Sequence, residues 1–255
     1  MTELKKSQQP TVVGAAPEGA GDEAAAATAV REMFSSIAGR YDLLNHVLSM
    51  NVDRLWWNRT ARTFRHILKR PGARVLDLCC GTGDMTFALY RHGRGGGVEL
   101  TGADFSHAML IRAQAKSGSR RIRWIEADAL QLPFGDGDFD LVTAAFGFRN
   151  LANYDRGLAE IYRVLAPGGE AGILDFGEPK GLIGRVYRFY FHRILPAIGT
   201  GISGVSGPYK YLPASVQRFP APEQLLQRMR EAGFCDVSWT PYTFGIAGLY
   251  RARKR

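Results

Sequence analysis

Hydrophobic residues recur along this chain with two different periods. Over residues 30–68 they return every three or four positions, as Val30, Met33, Phe34 and Ile37 illustrate, which is typical of two or three amphipathic helices. From residue 74 onward, short apolar runs alternate with helical stretches, and strands are predicted at 74–80, 98–105, 121–127, 139–146 and 170–176. Strands that alternate with helices predict a parallel sheet with helices on both faces.

The end of the chain departs from this alternation. Residues 177–221 contain no clear strand, whereas a helix is predicted at 222–232 and two strands at 234–240 and 243–251. Because a short turn joins these two strands, they are predicted to form a hairpin that brings an antiparallel strand to the edge of the sheet. The predicted fold class is therefore α/β, with a mostly parallel sheet.

Composition and charge limit the classes of function. Of the 255 residues, 45% are hydrophobic, which excludes a chain disordered throughout, and no run approaches the roughly 18 apolar residues of a membrane-spanning helix. The three cysteines make a poor disulfide framework, so we expect a reducing, cytoplasmic compartment. No histidine stands at ligand-like spacing from them, so no metal is expected. The net charge of +9 leaves nucleic acid, a membrane surface and an acidic substrate open as partners.

One loop combines glycines with acidic residues. Asp77 lies in the first strand, and Gly81, Thr82 and Gly83 connect that strand to the next helix. Glycine lets the backbone approach a ligand, and the free N–H groups of a helix N-terminus can bind one. Asp104 ends the second strand, where a carboxylate can accept both hydroxyls of a ribose. The loop indicates a nucleotide site, although a tight turn without a ligand would explain the glycines alone.

The residues around this loop favour a nucleotide without a pyrophosphate. No third glycine completes the spacing GxGxxG, and Asp84 at the helix start would repel a phosphate. S-adenosylmethionine carries a sulfonium and an ammonium group instead, and we expect Asp77 and Asp84 to hold the ammonium. Asp128 follows the third strand, where its carboxylate can accept the adenine amino group. A solvated loop charge is the alternative interpretation of Asp128.

The motifs together resemble the class I S-adenosylmethionine-dependent methyltransferases, and within them the UbiE/MenG family of quinone biosynthesis. The resemblance extends from about residue 30 to 250 and rests most specifically on the patterns FxxxAxxYDxxN and FGxRN. The matching segments are Phe34–Asn45, Arg54–Trp57, Cys80–Asp84, Phe146–Asn150, Tyr162–Gly169, Tyr209–Leu212 and Ser215–Val216. It implies a Rossmann-like fold of seven strands and C-methylation of a polyprenyl quinol, either demethylmenaquinol or the corresponding benzoquinol of ubiquinone biosynthesis.

The resemblance also implies which residues contact the cofactor. They are Thr82, Asp104, Asp128, Ala129 and Ala145, beside the loop residues Asp77, Gly81 and Gly83. This chain has Ala145 where relatives may carry Ser. If the family's contact with the cofactor is made by the backbone, it is kept in this chain, whereas a contact made by the serine hydroxyl is lost. Asp53 is a second departure, because some relatives carry His there, and the ring preference would differ if this side chain touches the substrate.

Methylation of a quinol carbon needs a base or proton relay beside the neighbouring hydroxyl, because the deprotonated ring is the stronger nucleophile. The candidates are Arg149 and Asn150 after the fourth strand and Tyr41 with Asn45 on the N-terminal helices. Since arginine stays protonated, Arg149 would stabilise the quinolate or order a water rather than take a proton. The alternatives are structural: an ion pair of Arg149 with Asp42 or Asp155, and ordinary packing of Tyr41.

The chain is predicted to divide near residue 30. Residues 1–29 lack aromatic residues and are expected to form a disordered tail, although the alanine run at 24–27 can extend the following helix backward. They hold two basic and four acidic residues, so the remaining chain carries a net charge of +11. The methyltransferase domain at 30–255 is expected to consist of N-terminal helices at 30–70, a cofactor-binding core at 71–176, a substrate lid at 177–221 and a C-terminal helix and hairpin at 222–255.

The predicted lid is basic and aromatic. Residues 181–212 contain no acidic residue and four basic ones, which are Arg185, Arg188, Arg193 and Lys210. Because a polyprenyl quinol resides in the bilayer, we expect this segment to make peripheral contact with the inner face of the cytoplasmic membrane. A helix packed over the sheet with its charges in water is the alternative.

Rival functions are weighed on the same motifs. The basic residues are scattered and no RNA-binding module is visible, so no nucleic acid partner is expected and an RNA methyltransferase is disfavoured. The missing third glycine disfavours a nicotinamide dehydrogenase. A small-molecule O-methyltransferase of the same fold stays open, as does the oligomeric state, a homodimer included.

Overall fold

Seven strands form one sheet in the computed structural model, which describes residues 13–15, 17, 19–38, 51–177, 179, 181, 184–185 and 207–255. The strands are β1 (Arg74–Leu78), β2 (Glu99–Asp104), β3 (Ile122–Glu126), β4 (Phe139–Ala145), β5 (Leu165–Phe176), β6 (Cys235–Tyr242) and β7 (Ala247–Arg253). Their order across the sheet is β3-β2-β1-β4-β5-β7-β6. Neighbours among the first five are parallel, whereas β7 runs antiparallel to both β5 and β6. The predicted α/β class with a mostly parallel, seven-stranded sheet is confirmed.

Helices cover both faces of this sheet. Within the described residues they are α1 (Glu23–Ile37), α2 (Val52–Thr63), α3 (Arg65–Leu68), α4 (Asp84–Gly93), α5 (His107–Ser117), α6 (Tyr154–Val164), α7 (Gly207–Arg218) and α8 (Pro222–Glu231). Short 3-10 turns follow β4 at Phe148–Asn150 and β6 at Thr243–Gly245. In the part of the chain that the structure describes, no helix has the length and apolar character needed to cross a bilayer.

The side chains of the strands alternate between two hydrophobic clusters, one on each face. In β1, Leu76 and Leu78 belong to one cluster and Val75 to the other. Helices α6 and α8 cover the first cluster, and α2, α3 and α4 cover the second. Burial of each aliphatic side chain stabilises the fold by about 1.5–3 kcal/mol, so the two clusters hold the helices against the sheet.

The C-terminal hairpin corrects the predicted place of the antiparallel strand. The hairpin does lie at the edge of the sheet, but the antiparallel strand is β7, which is second from the edge, and β6 is the edge strand. Strand β5 also begins earlier than predicted, at Leu165. Helix α6 ends at Val164, and Pro167, Gly168 and Gly169 lie within β5, where Leu165 pairs with Phe139 across an irregularity in the register.

Helix α1 begins before the predicted boundary at residue 30. The Asp22 side chain accepts a hydrogen bond from the N–H of Ala25 at 2.8 Å and caps the helix. Ala26 is fully buried, and the N–H of Ala15 donates to the carbonyl of Leu151 at 2.7 Å. Over its described residues the predicted tail thus packs against the domain, and from Glu23 onward it is part of α1, as the alanine run at 24–27 allows.

Two predicted features lie wholly or mostly outside the described residues. Tyr41, together with Asn45, is one of them. The other is the segment at 177–221, of which 177, 179, 181, 184–185 and 207–221 are described. Its last part forms α7, which ends at Arg218 beside the buried ring of Phe219.

Candidate active site

A cavity of about 280 Å³ lies at the carboxyl ends of the strands. Its walls come from the loops after β1, β2, β3 and β4, from α1 and α2, and from the turn between β6 and β7. In the sheet β1 lies between β2 and β4. Strands β2 and β3 are added on one side of β1 and β4 and β5 on the other, so the strand order reverses at this point. Open α/β sheets bind their ligands in the crevice at such a switch.

The cavity has two chemically different halves. Over β1, β2 and β3 its walls carry the carboxylates of Asp77, Asp84, Asp104 and Asp128, and we call this part the carboxylate half. Over β4, β5 and the turn before β7 its walls consist mainly of aromatic and aliphatic side chains, and we call this part the aromatic half. The aromatic half is lined by Trp56, Trp57, Phe146, Phe176 and Ile246.

Backbone geometry explains the glycines of the loop after β1. Gly83 has a φ of +91°, and a Cβ at this position would lie 2.8 Å from the ring of Trp124. Gly81 also has a positive φ, of +54°. Gly147, in the turn after β4, approaches the same loop so closely that a Cβ would lie 2.3 Å from the Cβ of Cys79. Because these positions exclude a side chain, the two loops meet closely between the two halves of the cavity.

Asp104 ends β2 directly below this loop. Its Oδ2 accepts a hydrogen bond from the N–H of Gly81 at 2.8 Å, and its Oδ1 accepts one from the N–H of Ser106 at 2.9 Å. The residue is 6% exposed, and burial raises its pKa to about 6 although the backbone donors oppose the shift. A carboxylate has about four lone-pair sites, so Asp104 retains acceptor capacity for ligand hydroxyls.

Asp77 lines the carboxylate half from within β1 and is fully buried. Its Oδ2 accepts from the hydroxyl of Thr86 at 2.6 Å and its Oδ1 from the hydroxyl of Thr143 at 2.8 Å. Burial outweighs these bonds and raises the pKa of Asp77 to about 7. A cationic group placed nearby would favour the ionised form of Asp77. This agrees with the role predicted from the sequence, in which Asp77 holds the ammonium group of the cofactor.

Asp84 and Thr82 share a partner that the sequence did not reveal. Lys116 Nζ lies 3.0 Å from Asp84 Oδ1 and 3.1 Å from Thr82 Oγ1. Lys116 stands in the last turn of α5, 32 residues after Asp84, so no local spacing signals the contact. Because this ammonium group already compensates Asp84, the structure leaves Asp77 as the better candidate to hold the ammonium of a ligand.

Three further predicted contacts line the cavity at the ends of β3 and β4. Asp128 is exposed, and its Oδ1 accepts from the N–H of Leu130 at 2.9 Å, which shapes the turn after β3. Ala129 is buried beside it, and Ala145 is half-buried at the end of β4. Asp128 is thus a loop charge that also borders the cavity.

Arg149 forms a buried ion pair with Asp175 of β5. Its Nη1 lies 2.8 Å from Asp175 Oδ1, and its backbone N–H donates to Asp175 Oδ2 at 3.0 Å. Neither of the two partners predicted for Arg149 is observed: Asp155 pairs with Arg228 at 2.6 Å, and Asp42 lies outside the described residues. The guanidinium group therefore ties the turn after β4 to β5, and its role in catalysis stays a prediction.

Asn150 lines the cavity next to Arg149 and contacts α7. The hydroxyl of Tyr211 donates to Asn150 Oδ1 at 3.2 Å. Burial raises the pKa of Tyr211 to about 12, so this hydroxyl remains a donor at neutral pH. Tyr211 was not named as a site residue, although it lies in one of the motif segments, Tyr209–Leu212.

Three rings form the wall of the aromatic half. The centroid of Phe146 lies 4.6 Å from that of Phe176 and 5.8 Å from that of Trp56. Trp56 also donates from Nε1 to Thr243 Oγ1 at 2.8 Å, which fixes its ring against the turn before β7. The rings come from α2, from the turn after β4 and from the end of β5, so no local pattern in the sequence brings them together. Such a wall suits a flat, apolar ring.

Helix α1 closes the cavity on a further side. Phe34 lines the cavity, and Ser35 Oγ lies 3.0 Å from Ser106 Oγ. The guanidinium carbon of Arg31 lies 5.5 Å from the centre of the Phe105 ring. Helix α1 is thus fixed to the loop after β2, which was not foreseen from the sequence.

Comparison with known proteins gives this cavity a context. Residues 22–254 match the ubiE/COQ5 methyltransferase family. A demethylmenaquinone methyltransferase from Deinococcus radiodurans is 50% identical over 238 residues, which cover 92% of this chain and 96% of that protein. A ubiquinone/menaquinone biosynthesis C-methyltransferase from Geobacter sulfurreducens is 44% identical over 230 residues, which cover 88% of each chain.

A solved structure supports the fold independently. An S-adenosylmethionine-dependent methyltransferase from Thermotoga maritima, described as a possible histamine N-methyltransferase, superposes with a TM-score of 0.62. The match covers 89% of this chain and 100% of that one at 18% identity, so it bears on the fold alone. Together with the match over residues 22–254 and the high identity to curated relatives, these findings confirm the predicted resemblance: the chain belongs to the ubiE/COQ5 methyltransferase family.

Proposed function

We propose that this protein transfers a methyl group from S-adenosylmethionine to a ring carbon of a polyprenyl quinol, with demethylmenaquinol as its first substrate. The observation that carries the proposal is the cavity in which a carboxylate half and an aromatic half meet at the switch between β1 and β4. The identity of 50% to a demethylmenaquinone methyltransferase supports the choice of ring. The benzoquinol counterpart is the second candidate, supported by the relative whose name covers both pathways.

The carboxylate half fits S-adenosylmethionine. Asp104 retains lone pairs for the ribose hydroxyls, Asp77 offers negative charge to the ammonium group, and Asp128 with Ala129 borders the place left for adenine. The ligand has no phosphate that these carboxylates would repel, and its net charge is positive. When bound, it supplies a methyl group on a positively charged sulfur, which makes the methyl carbon electrophilic.

The aromatic half would hold the quinol ring. Phe146, Phe176 and Trp56 offer edges and faces to a flat ring and keep water away from it. Methyl transfer between two bound molecules depends mainly on their mutual orientation, and good orientation can replace about 7–11 kcal/mol of the barrier. The ion pair of Arg149 with Asp175 holds the turn that carries Phe146, so it contributes to this orientation.

The test is a product analysis with two acceptors. The purified protein is incubated with methyl-labelled S-adenosylmethionine and either demethylmenaquinol or the demethylated benzoquinol, both kept reduced. We expect transfer of one methyl group to a ring carbon of the naphthoquinol. Mass spectrometry with fragmentation distinguishes this product from an O-methyl ether, which would support the O-methyltransferase alternative. Failure with both acceptors would contradict the proposed substrate class.

The exposed face of α2, α3 and α4 supports contact with an anionic membrane. Its exposed cations include Arg62, Arg65, Lys69 and Arg91. The pKa of His92, which lies among them, is lowered by burial and by these four cations, so the positive charges are close together. A polyprenyl quinol has to be taken from the bilayer, and each basic residue near an anionic surface contributes about 1 kcal/mol.

Vesicle binding tests this contact. We expect the protein to co-sediment with vesicles of phosphatidylglycerol and phosphatidylcholine, and the variant Arg62→Glu/Arg65→Glu to bind at least tenfold more weakly. Arg121→Glu/Arg123→Glu, which makes the same charge change at the edge strand β3, is the matched control and should bind more strongly than the first variant. Equal binding to vesicles of phosphatidylcholine alone would contradict the electrostatic contact.

A further inference from the structure

Asp53 is an acidic residue on the aromatic side of the cavity. It is the second residue of α2, is 4% exposed and lines the cavity. Trp56 and Trp57 follow one turn later on the same helix and line the same wall. The carboxylate therefore lies on the side where the proposed function places the quinol ring.

The N-terminus of α2 favours a negative charge at this position. Asp53 Oδ1 accepts a hydrogen bond from the N–H of Arg54 at 2.7 Å, and the remaining N–H groups of the first turn and the helix dipole act in the same direction. A carboxylate has about four lone-pair sites, so this bond does not use up the acceptor capacity of Asp53.

The other charged residues that line the cavity have different positions and partners. Asp77, Asp84 and Asp104 lie over β1 and β2 and are bound by threonine hydroxyls, by Lys116 and by backbone N–H groups respectively. Asp128 follows β3 and accepts from the N–H of Leu130. Arg149 lies on the aromatic side and pairs with Asp175. Among the cavity-lining residues that the structure describes, Asp53 is therefore the carboxylate of the aromatic half.

We propose that Asp53 accepts a hydrogen bond from the quinol hydroxyl next to the methylated carbon and takes its proton as the methyl group is transferred. The electron pair of the ring forms the new carbon–carbon bond, the bond from sulfur to methyl breaks, and its electron pair remains on the sulfur. The ring carbon then loses its hydrogen as a proton to water, and the oxygen regains one from Asp53, so one proton is released in total. This inference rests on the proposed function.

The experiment compares Asp53→Asn and Asp53→His with the wild-type full-length protein. Single-turnover rates are measured at saturating demethylmenaquinol of short prenyl chain, and the affinity for S-adenosylmethionine is measured by calorimetry. Because a general base typically contributes 10²- to 10⁴-fold, we expect Asp53→Asn to lower the rate at least about 100-fold with cofactor affinity within about twofold. Asp53→His, which keeps a proton acceptor, should stay within about tenfold of the wild type. Glu32→Gln, an exposed carboxylate on α1, is the control.

The pH profile distinguishes a base from a structural residue. The charged groups that face this wall from the described elements are Asp53 and the pair of Arg149 with Asp175. In Asp53→Asn the rate should rise with pH, because the hydroxyl must then ionise without help. A wild-type rate in Asp53→Asn overturns the proposal, as does a loss of cofactor affinity equal to the loss of rate in both variants. If the wild type methylates neither quinol, the proposed function fails and this inference fails with it.

Discussion

The guanidinium group of Arg149 lies 2.8 Å from the carboxylate of Asp175 in the interior of the protein, where the two side chains are 5% and 0% exposed. This pair joins the turn after β4 to the end of β5, and these two places carry Phe146 and Phe176. The wall of the aromatic half therefore depends on a charge pair as well as on apolar packing. Removing one partner of a buried pair leaves an uncompensated charge, which costs more than the pair contributes.

Loss of Arg149 is expected to destabilise the protein strongly. Arg149→Met should lower the free energy of unfolding by about 3–5 kcal/mol, because Asp175 is left buried without its partner. Arg149→Met/Asp175→Asn should recover part of this loss. The measurement is urea denaturation, with Arg228→Met as a control, because Arg228 pairs with Asp155 at the surface and should matter by less than about 1 kcal/mol. If Arg149→Met and Arg228→Met lower the free energy of unfolding equally, this expectation is contradicted.

Arg149 also carries a prediction about catalysis. Arg149→Ala should lower the rate of methyl transfer per folded molecule at least tenfold. The affinity for S-adenosylmethionine should change little, since Arg149 follows β4 whereas Asp104 ends β2, on the other side of β1. Turnover assays and calorimetry on the same preparation check this, with the folded fraction taken from the denaturation curve. Equal losses of rate and of cofactor affinity would refute a role at the acceptor.

Asp104 is expected to control cofactor binding. In Asp104→Asn the amide offers a weaker acceptor to ligand hydroxyls, and hydrogen bonds to a charged group contribute about 1.5–3 kcal/mol each, so the affinity for S-adenosylmethionine should fall at least about tenfold. Glu99→Gln, an exposed acid at the opposite end of the same strand, should bind like the wild type. Isothermal calorimetry measures both. Unchanged binding by Asp104→Asn would exclude the predicted ribose contact.

The buried carboxyl groups predict that the ligand-free protein loses stability as the pH rises. Burial raises the pKa of Asp77 from 3.8 to about 7 and that of Asp104 to about 6. Between about pH 4 and pH 7 the folded protein therefore holds protons that the unfolded chain has released. The contribution of these two carboxyl groups to the free energy of unfolding is complete below this range and is lost as the pH rises through it.

The variant Asp77→Asn should remove the larger part of this dependence. Urea denaturation of the wild type and the variant at several pH values between about 5 and 8 gives the two slopes, which the linkage relation compares directly. A slope that is the same in both proteins would show that Asp77 is ionised throughout. Thr143→Val, which removes one of its hydrogen bonds, should steepen the dependence by raising the pKa further.

Gly83 is expected to tolerate no side chain. Gly83→Ala places a methyl group 2.8 Å from the ring of Trp124 at a φ of +91°, and should lower both the free energy of unfolding, by about 2 kcal/mol, and the cofactor affinity. Gly95 has a similar φ of +85° but no atom within 4 Å of the added Cβ. Gly95→Ala therefore measures the backbone strain alone. If the two variants are equally stable, the contact with Trp124 has no effect.

Local patterns in the sequence were sufficient for the strands and for the carboxylate half. Strand β1 and the glycine turn after it are adjacent in the chain, and Asp104 and Asp128 follow from the rule that parallel strands end at one edge of the sheet. The family resemblance added Ala129 and Ala145, which the structure also places on the cavity.

The remaining features depend on contacts between distant parts of the chain. Lys116 forms an ion pair with Asp84 from another helix, and Trp56 donates a hydrogen bond to Thr243, which lies 187 residues later in the chain. No rule based on local spacing predicts either pair. The start of α1 depends on both kinds of information. The alanine run at 24–27 allows the helix to extend backward from residue 30, but only the contacts of the folded chain show that Ala26 is completely buried.

The position of β7 has a consequence for how the molecule is made. Strand β7 pairs with β5 on one side and with β6 on the other, and it follows both of them in sequence. As the chain emerges from the ribosome, the edge of β5 stays open and β6 has no neighbour until β7 arrives. A nascent chain halted before residue 247 would therefore expose the unpaired backbone groups of β5, a strand that is internal in the complete sheet. Such an exposed edge can pair with other chains and lead to aggregation.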